Sequence, residues 1–330
     1  MKHGANIYKY AKQITCKEEE IIDFSSNINL YQPMNDIVIS TKNVSRYADS
    51  TYGNFKKLLA QKYELKKSQI ALYNGATASI YALINSLESK NVFLYAPLYG
   101  EYEKACSEKN IEKINRFTQL EKEPLEGSIV VFVNPSTPEG KYYKLEKLMS
   151  IWKAKKCTVI LDESFLEFED LPSYRGEIDS YKRLYIVQSF SKFYACAGVR
   201  IGAIFSNKKN IQKLPSPLWN LSSLDVNFLQ KRLKDEGFEQ KSRKKHQKQK
   251  RELEKILAES TLFEKILPSD ANYILTYSKS ATKIFDTLLS KKILVRKCKS
   301  FDYLSNSWLR FAVKDVKSHK KLKKVLNELS

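Results

Sequence analysis

The chain has 330 residues, enough for one large folded unit with a smaller one attached. Its 42% hydrophobic content, with 20 Tyr and 16 Phe against only 10 Gly and 9 Pro, excludes a fibrous or a disordered chain. The formal net charge of +20 favours anionic partners, and no apolar run approaches the ~20 residues that span a bilayer.

In chain order, the N-terminal MKHGANIYKYAK has no apolar stretch to act as a secretion signal, so a cytoplasmic protein is expected. Phe55, Leu58, Leu59 and Tyr63 lie at helical spacing, as do Ile80, Leu83, Ile84 and Leu87. Between and after them come short apolar runs: VFLYAP (92–97), SIVVFVNP (128–135), CTVILDES (157–164), RLYIVQSFS (183–191) and RIGAIFSN (200–207). Their β-branched content and turn-forming flanks suit strands buried on both faces of a mostly parallel sheet. From about 208 a helical pattern takes over, interrupted by an extended pair, ANYILTY (271–277) and WLRFAV (308–313). A last helix offers Leu322, Val325, Leu326 and Leu329 as its buried stripe. The expected fold is α/β: a large domain over 46–207, and a smaller α+β domain made from 208–330 with the N-terminal arm, 1–45.

Five scattered cysteines (Cys16, Cys106, Cys157, Cys196, Cys298) and three histidines (His3, His246, His319) argue against a disulfide framework and against a metal site. Basic residues concentrate in KSRKKHQKQKR (241–251), seven Lys or Arg in eleven positions. Without interleaved aromatics to stack on bases, this run reads as the solvated face of a long helix rather than a nucleic-acid patch.

Ligands of open α/β sheets gather beyond the carboxyl ends of the strands, and three of these places are chemically loaded. SFSKFYACAGVR (189–200) leaves a strand with Ser189, Ser191 and Lys192 and reaches Arg200. A lysine amine suits an aldehyde cofactor, and Ser with Arg suits a phosphate. Alone, Lys192 reads sooner as one more lysine at a strand edge. LDESF (161–165) puts Asp162 at the end of a buried strand, where a carboxylate needs a partner. It is either a partner for a pyridinium nitrogen or a cap for the next segment. NGATAS (74–79) starts a helix at Gly75, Ala76 and Thr77, whose free N–H groups suit a phosphate.

Taken together, these motifs resemble the fold-type I pyridoxal-phosphate (PLP) enzymes of the histidinol-phosphate aminotransferase branch, and within it the threonine-phosphate decarboxylases of cobalamin biosynthesis. The resemblance runs through HGANIYKYAK (3–12), DFSSNIN (23–29), RYADSTY (46–52), NGATASIY (74–81), PLYGEYEKA (97–105), SFSKFYACAGVRIG (189–202), ANYIL (271–275) and ILVRKC (293–298). It implies a seven-stranded-type sheet, PLP bound to Lys192 as a Schiff base, Asp162 at the ring nitrogen and Tyr99 stacked on the ring. Gly75, Ala76, Thr77, Ser189 and Arg200 would hold the cofactor phosphate, joined by Tyr47 from the second subunit of a homodimer. Arg310 would grip the substrate carboxylate, and His3, Gly4, Asn27 and Arg296 the substrate's phosphate. In NPSTPEG (134–140), Thr137 stands where the family carries the Asn that holds the cofactor's phenolic oxygen, so that contact passes to a hydroxyl or is lost.

The implied reaction is decarboxylation of an O-phosphorylated amino acid, threonine phosphate or serine phosphate, for the corrinoid nucleotide loop. The HGAN start favours it, as does Phe165, where aminotransferase relatives commonly carry Tyr. The alternative is a histidinol-phosphate-type aminotransferase, and a more distant one is a non-enzymatic nucleic-acid binder. No membrane partner is expected.

Overall fold

The computed structural model describes residues 6–33 and 40–329, so His3 and Gly4 lie outside the described residues. The N-terminal segment forms α1 (Ile7–Gln13) and β1 (Ile22–Asp23). Next come α2 (Gly53–Lys62), β2 (Ile70–Asn74), α3 (Gly75–Ser86), β3 (Asn91–Ala96), α4 (Glu101–Ala105) and β4 (Asn110–Asn115). They are followed by β5 (Ile129–Val133), α5 (Glu146–Ala154), β6 (Thr158–Asp162), β7 (Leu184–Ser189), β8 (Ile201–Phe205) and α6 (Lys208–Lys213). Two helices, α7 (Ser223–Leu233) and α8 (Phe238–Ala258), lead to β9 (Lys265–Ile266), β10 (Tyr273–Tyr277) and α9 (Ala281–Ser290). The chain closes with β11 (Ile293–Leu294), β12 (Arg296–Lys297), β13 (Trp308–Ala312) and α10 (Val316–Leu329).

The five apolar runs of the middle of the chain all become strands of one seven-stranded sheet, ordered β2-β8-β7-β6-β5-β3-β4. Every pairing is parallel except those of β8, which runs against both β2 and β7. That single reversal has a chemical consequence. The carboxyl ends of β2 and β7 and the start of β8 meet at one edge, with Asn74 opposite Ile201 and Ser189 opposite Gly202. Two strands escape the sequence pattern. β4 (NIEKIN) is an edge strand with mostly polar residues, and β2 (IALYN) is too short to show a period.

Helices cover both faces, as a buried parallel sheet requires. On one side lie Phe55 and Leu59 of α2, Trp152 of α5, and Phe228 and Leu229 of α7. On the other lie Ile80, Leu83 and Ile84 of α3 and Tyr102 of α4. A further core joins the N-terminal Ala11 and Phe24 to α9, α10 and a four-stranded sheet ordered β12-β13-β10-β9. The β10–β13 pair is antiparallel, and β1 lies parallel to β11, which ties the N-terminal segment to the C-terminal part of the chain.

Helix α8 belongs to both regions, placing Phe238 in the first core and Leu253 and Leu257 in the last. It carries the basic run, but that run is not uniformly solvated. Lys250 Nζ donates to Glu169 Oε1 at 3.0 Å and Arg243 Nε to the Glu167 carbonyl at 3.1 Å, while Lys241, Lys244, Lys245, Lys248 and Arg251 face water. No helix of the described residues is long and apolar enough to cross a membrane.

The approach of α3 to β8 depends on one glycine. A Cβ built on Gly202 would sit 2.4 Å from the Ala76 nitrogen and 2.6 Å from its Cα. Neither neighbour is a side-chain end that could swing aside. Gly202→Ala is therefore expected to push the start of α3 off the sheet and destabilise the fold by ~1–3 kcal/mol, the usual cost of overpacking. Thermal unfolding checks this, and a variant as stable as the parent would contradict the close approach.

Candidate active site

Asp162 ends β6 in the middle of the sheet and is 4% exposed. Two donors meet its carboxylate: the Tyr102 hydroxyl reaches Oδ2 at 2.8 Å and the Ser164 N–H reaches Oδ1 at 2.9 Å. Burial pushes its pKa up, against the pull of Ser164, Tyr102 and Lys192. An added positive charge or N–H donor is what such a group calls for. Ser164 also fixes the neighbouring strand, its hydroxyl accepting from the Ser189 N–H at 3.0 Å.

Lys192 follows β7 in the turn after Ser189 and is half-buried. Its carbonyl accepts from the Asn29 N–H at 3.0 Å, so the N-terminal segment is laid directly across this turn. Burial, then the Arg200 and Arg310 guanidinium groups, pull the Lys192 ammonium down to about 8, while Asp162 opposes them. At that value a sizeable share of the amine is neutral and nucleophilic near neutral pH.

Arg200 stands just before β8 and reaches back to the Ser191 hydroxyl at 3.5 Å and the Ala197 carbonyl at 3.2 Å. It lies against the start of α3. A Cβ on Gly75 would come within 2.7 Å of Arg200 Nη2, and Gly75 also has φ +80°, a value that side chains rarely adopt. The positive φ is what calls for glycine there, since the end of the Arg200 side chain could swing aside. Thr77 and Tyr99 approach each other with hydroxyls 3.2 Å apart. Gly75, Ala76, Thr77, Tyr99, Ser189, Lys192 and Arg200 are therefore gathered where β2 and β7 end and β8 begins, around the start of α3 and a guanidinium.

A second group of cations comes from the C-terminal region. Arg296 and Arg310 are direct cross-strand partners on β12 and β13, 8% and 5% exposed. Like charges placed opposite each other destabilise a sheet, and each of these guanidinium pKa values is lowered, chiefly by burial. Arg310 donates from Nη1 to Thr137 Oγ1 at 2.6 Å and from Nη2 to the Ser25 carbonyl at 2.7 Å. Arg296 Nη2 donates to Ser300 Oγ at 2.7 Å. Asn27 is buried, its carbonyl accepting from Asn272 Nδ2 at 2.7 Å. Tyr47 is 79% exposed and stacks on Trp219 at 4.5 Å between ring centroids.

Sequence reasoning passed over four residues here. Tyr102, three positions after Tyr99, is the hydroxyl that holds Asp162. Gly202 ends the quoted run VRIG, and only the structure shows what a side chain there would strike. Tyr273 lies under Arg310, whose guanidinium carbon is 4.8 Å from the ring centroid. Lys314, just past β13, sends its amine to the Ser26 carbonyl at 2.8 Å, adding a third cation to this region.

This donor set fits PLP. An amine of lowered pKa serves its aldehyde, a buried carboxylate its ring nitrogen, and a helix start with Arg200 its phosphate. Comparison with known proteins agrees. Residues 4–329 match the family described as aminotransferase class I and II. The chain is 28% identical, over 97% of its length, to the adenosylcobalamin biosynthesis bifunctional protein CobDQ of Leptospira interrogans, and spans 40% of that longer protein. It is 25% identical to the threonine-phosphate decarboxylase of Salmonella typhimurium over 97% of this chain and 94% of that one. The crystal structure of the histidinol-phosphate aminotransferase from Clostridium acetobutylicum has a TM-score of 0.84 and 29% identity, covering 94% of this chain and 99% of that one. Histidinol-phosphate aminotransferases outnumber threonine-phosphate decarboxylases among the relatives. The chain belongs to the class I and II aminotransferase family, and its cofactor is pyridoxal 5'-phosphate.

Proposed function

We propose that the protein decarboxylates an O-phosphorylated amino acid, with L-threonine O-3-phosphate or L-serine O-phosphate as substrate. The observation that carries this reading is the buried cross-strand pair Arg296–Arg310. Two guanidinium groups side by side in a low-dielectric pocket repel one another, and a ligand with two anionic groups relieves both at once. A phosphorylated amino acid has such a pair, a carboxylate and a phosphate.

When bound, the cofactor supplies an electron sink for the bond broken at Cα. The chain's own groups do the rest. Lys192 Nζ would hold the cofactor and later deliver a proton to Cα. Asp162, kept in place by Tyr102 and Ser164, would set a negative charge against the ring nitrogen. Arg310 orients the carboxylate, and Arg296 with Asn27 takes the substrate's phosphate, joined by His3 and Gly4 from outside the described residues. The segment from Phe24 to Asn29 lies against Arg310 and across the turn that carries Lys192. Tyr47, exposed beside Trp219, is available to a second copy's phosphate site, which fits a homodimer.

Bond choice at Cα follows from how the substrate's charges are anchored. Phe165 is buried with its edge against Tyr273 and offers no hydroxyl to the cofactor, which supports decarboxylation over transamination. The number of histidinol-phosphate aminotransferases among the relatives favours the second reading, a transaminase. Threonine and serine phosphate differ by one methyl, worth only ~1–3 kcal/mol of discrimination.

Holoenzyme given either phospho-amino acid is expected to release carbon dioxide, and Lys192→Ala is expected to release none. Conversion of the cofactor to its pyridoxamine form without carbon dioxide would establish the transaminase instead. A second expectation concerns pH. Capture of free PLP by the cofactor-free protein, followed by visible absorbance, requires neutral Lys192 amine and should rise with pH through a midpoint near the lowered value of about 8. A midpoint above pH 10 would contradict the environment described for Lys192.

A further inference from the structure

The Thr137 hydroxyl oxygen accepts from Arg310 Nη1 at 2.6 Å in a fully buried contact. The Tyr273 hydroxyl, which donates to the neighbouring Ser136 carbonyl at 2.9 Å, lies beside the Thr137 side chain, which favours its ionised form.

Thr137 has a single hydroxyl, already engaged by Arg310, whereas an amide at this position has two N–H donors and could serve both a neighbouring group and the cofactor. Phe165, the other side chain at this place, has no donor at all. Tyr273 has its ring beneath the Arg310 guanidinium, 4.8 Å from its carbon, with Phe165 edge-on at 5.2 Å. Arg310 is thereby held by Thr137 on Nη1, by the Ser25 carbonyl on Nη2 and by the Tyr273 face, while its buried Nε has no hydrogen-bond partner among the described residues. A buried guanidinium N–H left without an acceptor is costly, and a carboxylate oxygen would satisfy it.

We propose that Thr137 and Tyr273 are positioning residues for Arg310, which set its unpaired Nε edge toward the substrate carboxylate, and that Thr137 does not serve the cofactor's phenolic oxygen. This rests on the reading of Arg310 as the carboxylate-binding residue. It makes the departure from the family's Asn a change in substrate recognition rather than in the cofactor's ring.

The test uses holoenzyme and two ligands that lack an amine and so cannot react. One is 3-(phosphonooxy)butanoate, with phosphate and carboxylate, and the other is isopropyl phosphate, the same molecule without the carboxylate. Titration calorimetry gives both affinities, and loss of visible absorbance on dilution gives cofactor affinity. Thr137→Val and Tyr273→Phe should each weaken the carboxylate ligand by about tenfold or more, as loss of a charge-assisted contact would. Isopropyl phosphate and the cofactor should bind as before, and Thr137→Ser should retain the parent affinity. Weaker cofactor binding with ligand preference intact would overturn the proposal, as would equal weakening of both ligands or no change. If the parent enzyme itself shows no preference for the carboxylate ligand, the role given to Arg310 fails and this inference with it. Carbon dioxide release judges the decarboxylase reading separately.

Discussion

A carboxylate withdrawn from water at the end of a buried strand must find donors within the protein, and the arrangement around Asp162 follows from that need. Tyr102 and Ser164 supply one hydrogen bond to each oxygen, and the remaining demand is for positive charge. Lys192, one strand over, answers part of it. Its ammonium is destabilised by burial and by two arginines, and Asp162 is the group that opposes them. The reversed strand β8 makes the arrangement possible. Because it runs against β7, the chain turns at Lys192 and comes back at once with Arg200, delivering amine and guanidinium to the same edge as the start of α3.

Charge elsewhere in the molecule is used in two different ways. Arg296, Arg310 and Lys314 gather in one region, where Arg310 and Lys314 donate to Thr137 and to the carbonyls of Ser25 and Ser26, a concentration of positive charge that favours an anionic ligand. Along α8 the opposite holds on the inner face. Glu169 accepts from Lys250 and Gln247, with His246 Nε2 3.6 Å away. Burial works against this carboxylate, but His246 and Lys250 hold it down at about 2. The inner part of the basic run thus fastens the long helix to the segment that follows Asp162, while Lys241, Lys244, Lys245, Lys248 and Arg251 face water.

How far the sequence could be read follows from which interactions are local. The buried strands were legible because parallel strands covered on both faces become continuous apolar runs, and 92–97, 128–135, 157–164, 183–191 and 200–207 all lie where β3, β5, β6, β7 and β8 form. β4 was not legible, since an edge strand half in water keeps Asn110, Glu112 and Lys113. Lys192, Asp162 and Gly75 could be singled out from their places after strands and at a helix start. Tyr102, Tyr273 and Lys314 could not, because their roles come from neighbours 60, 137 and 288 positions away in the chain. The same holds for Thr137. Its sequence position points to the cofactor, whereas its hydroxyl is engaged by Arg310, 173 residues further on.

The site as described depends on one lysine among many, Lys192. Holoenzyme treated with borohydride, which fixes PLP irreversibly to the amine that holds it, can be digested and its peptides weighed. The cofactor's mass is predicted on the peptide containing Lys192 and on no other. Cofactor mass on a different lysine, or on none, would contradict the site as described.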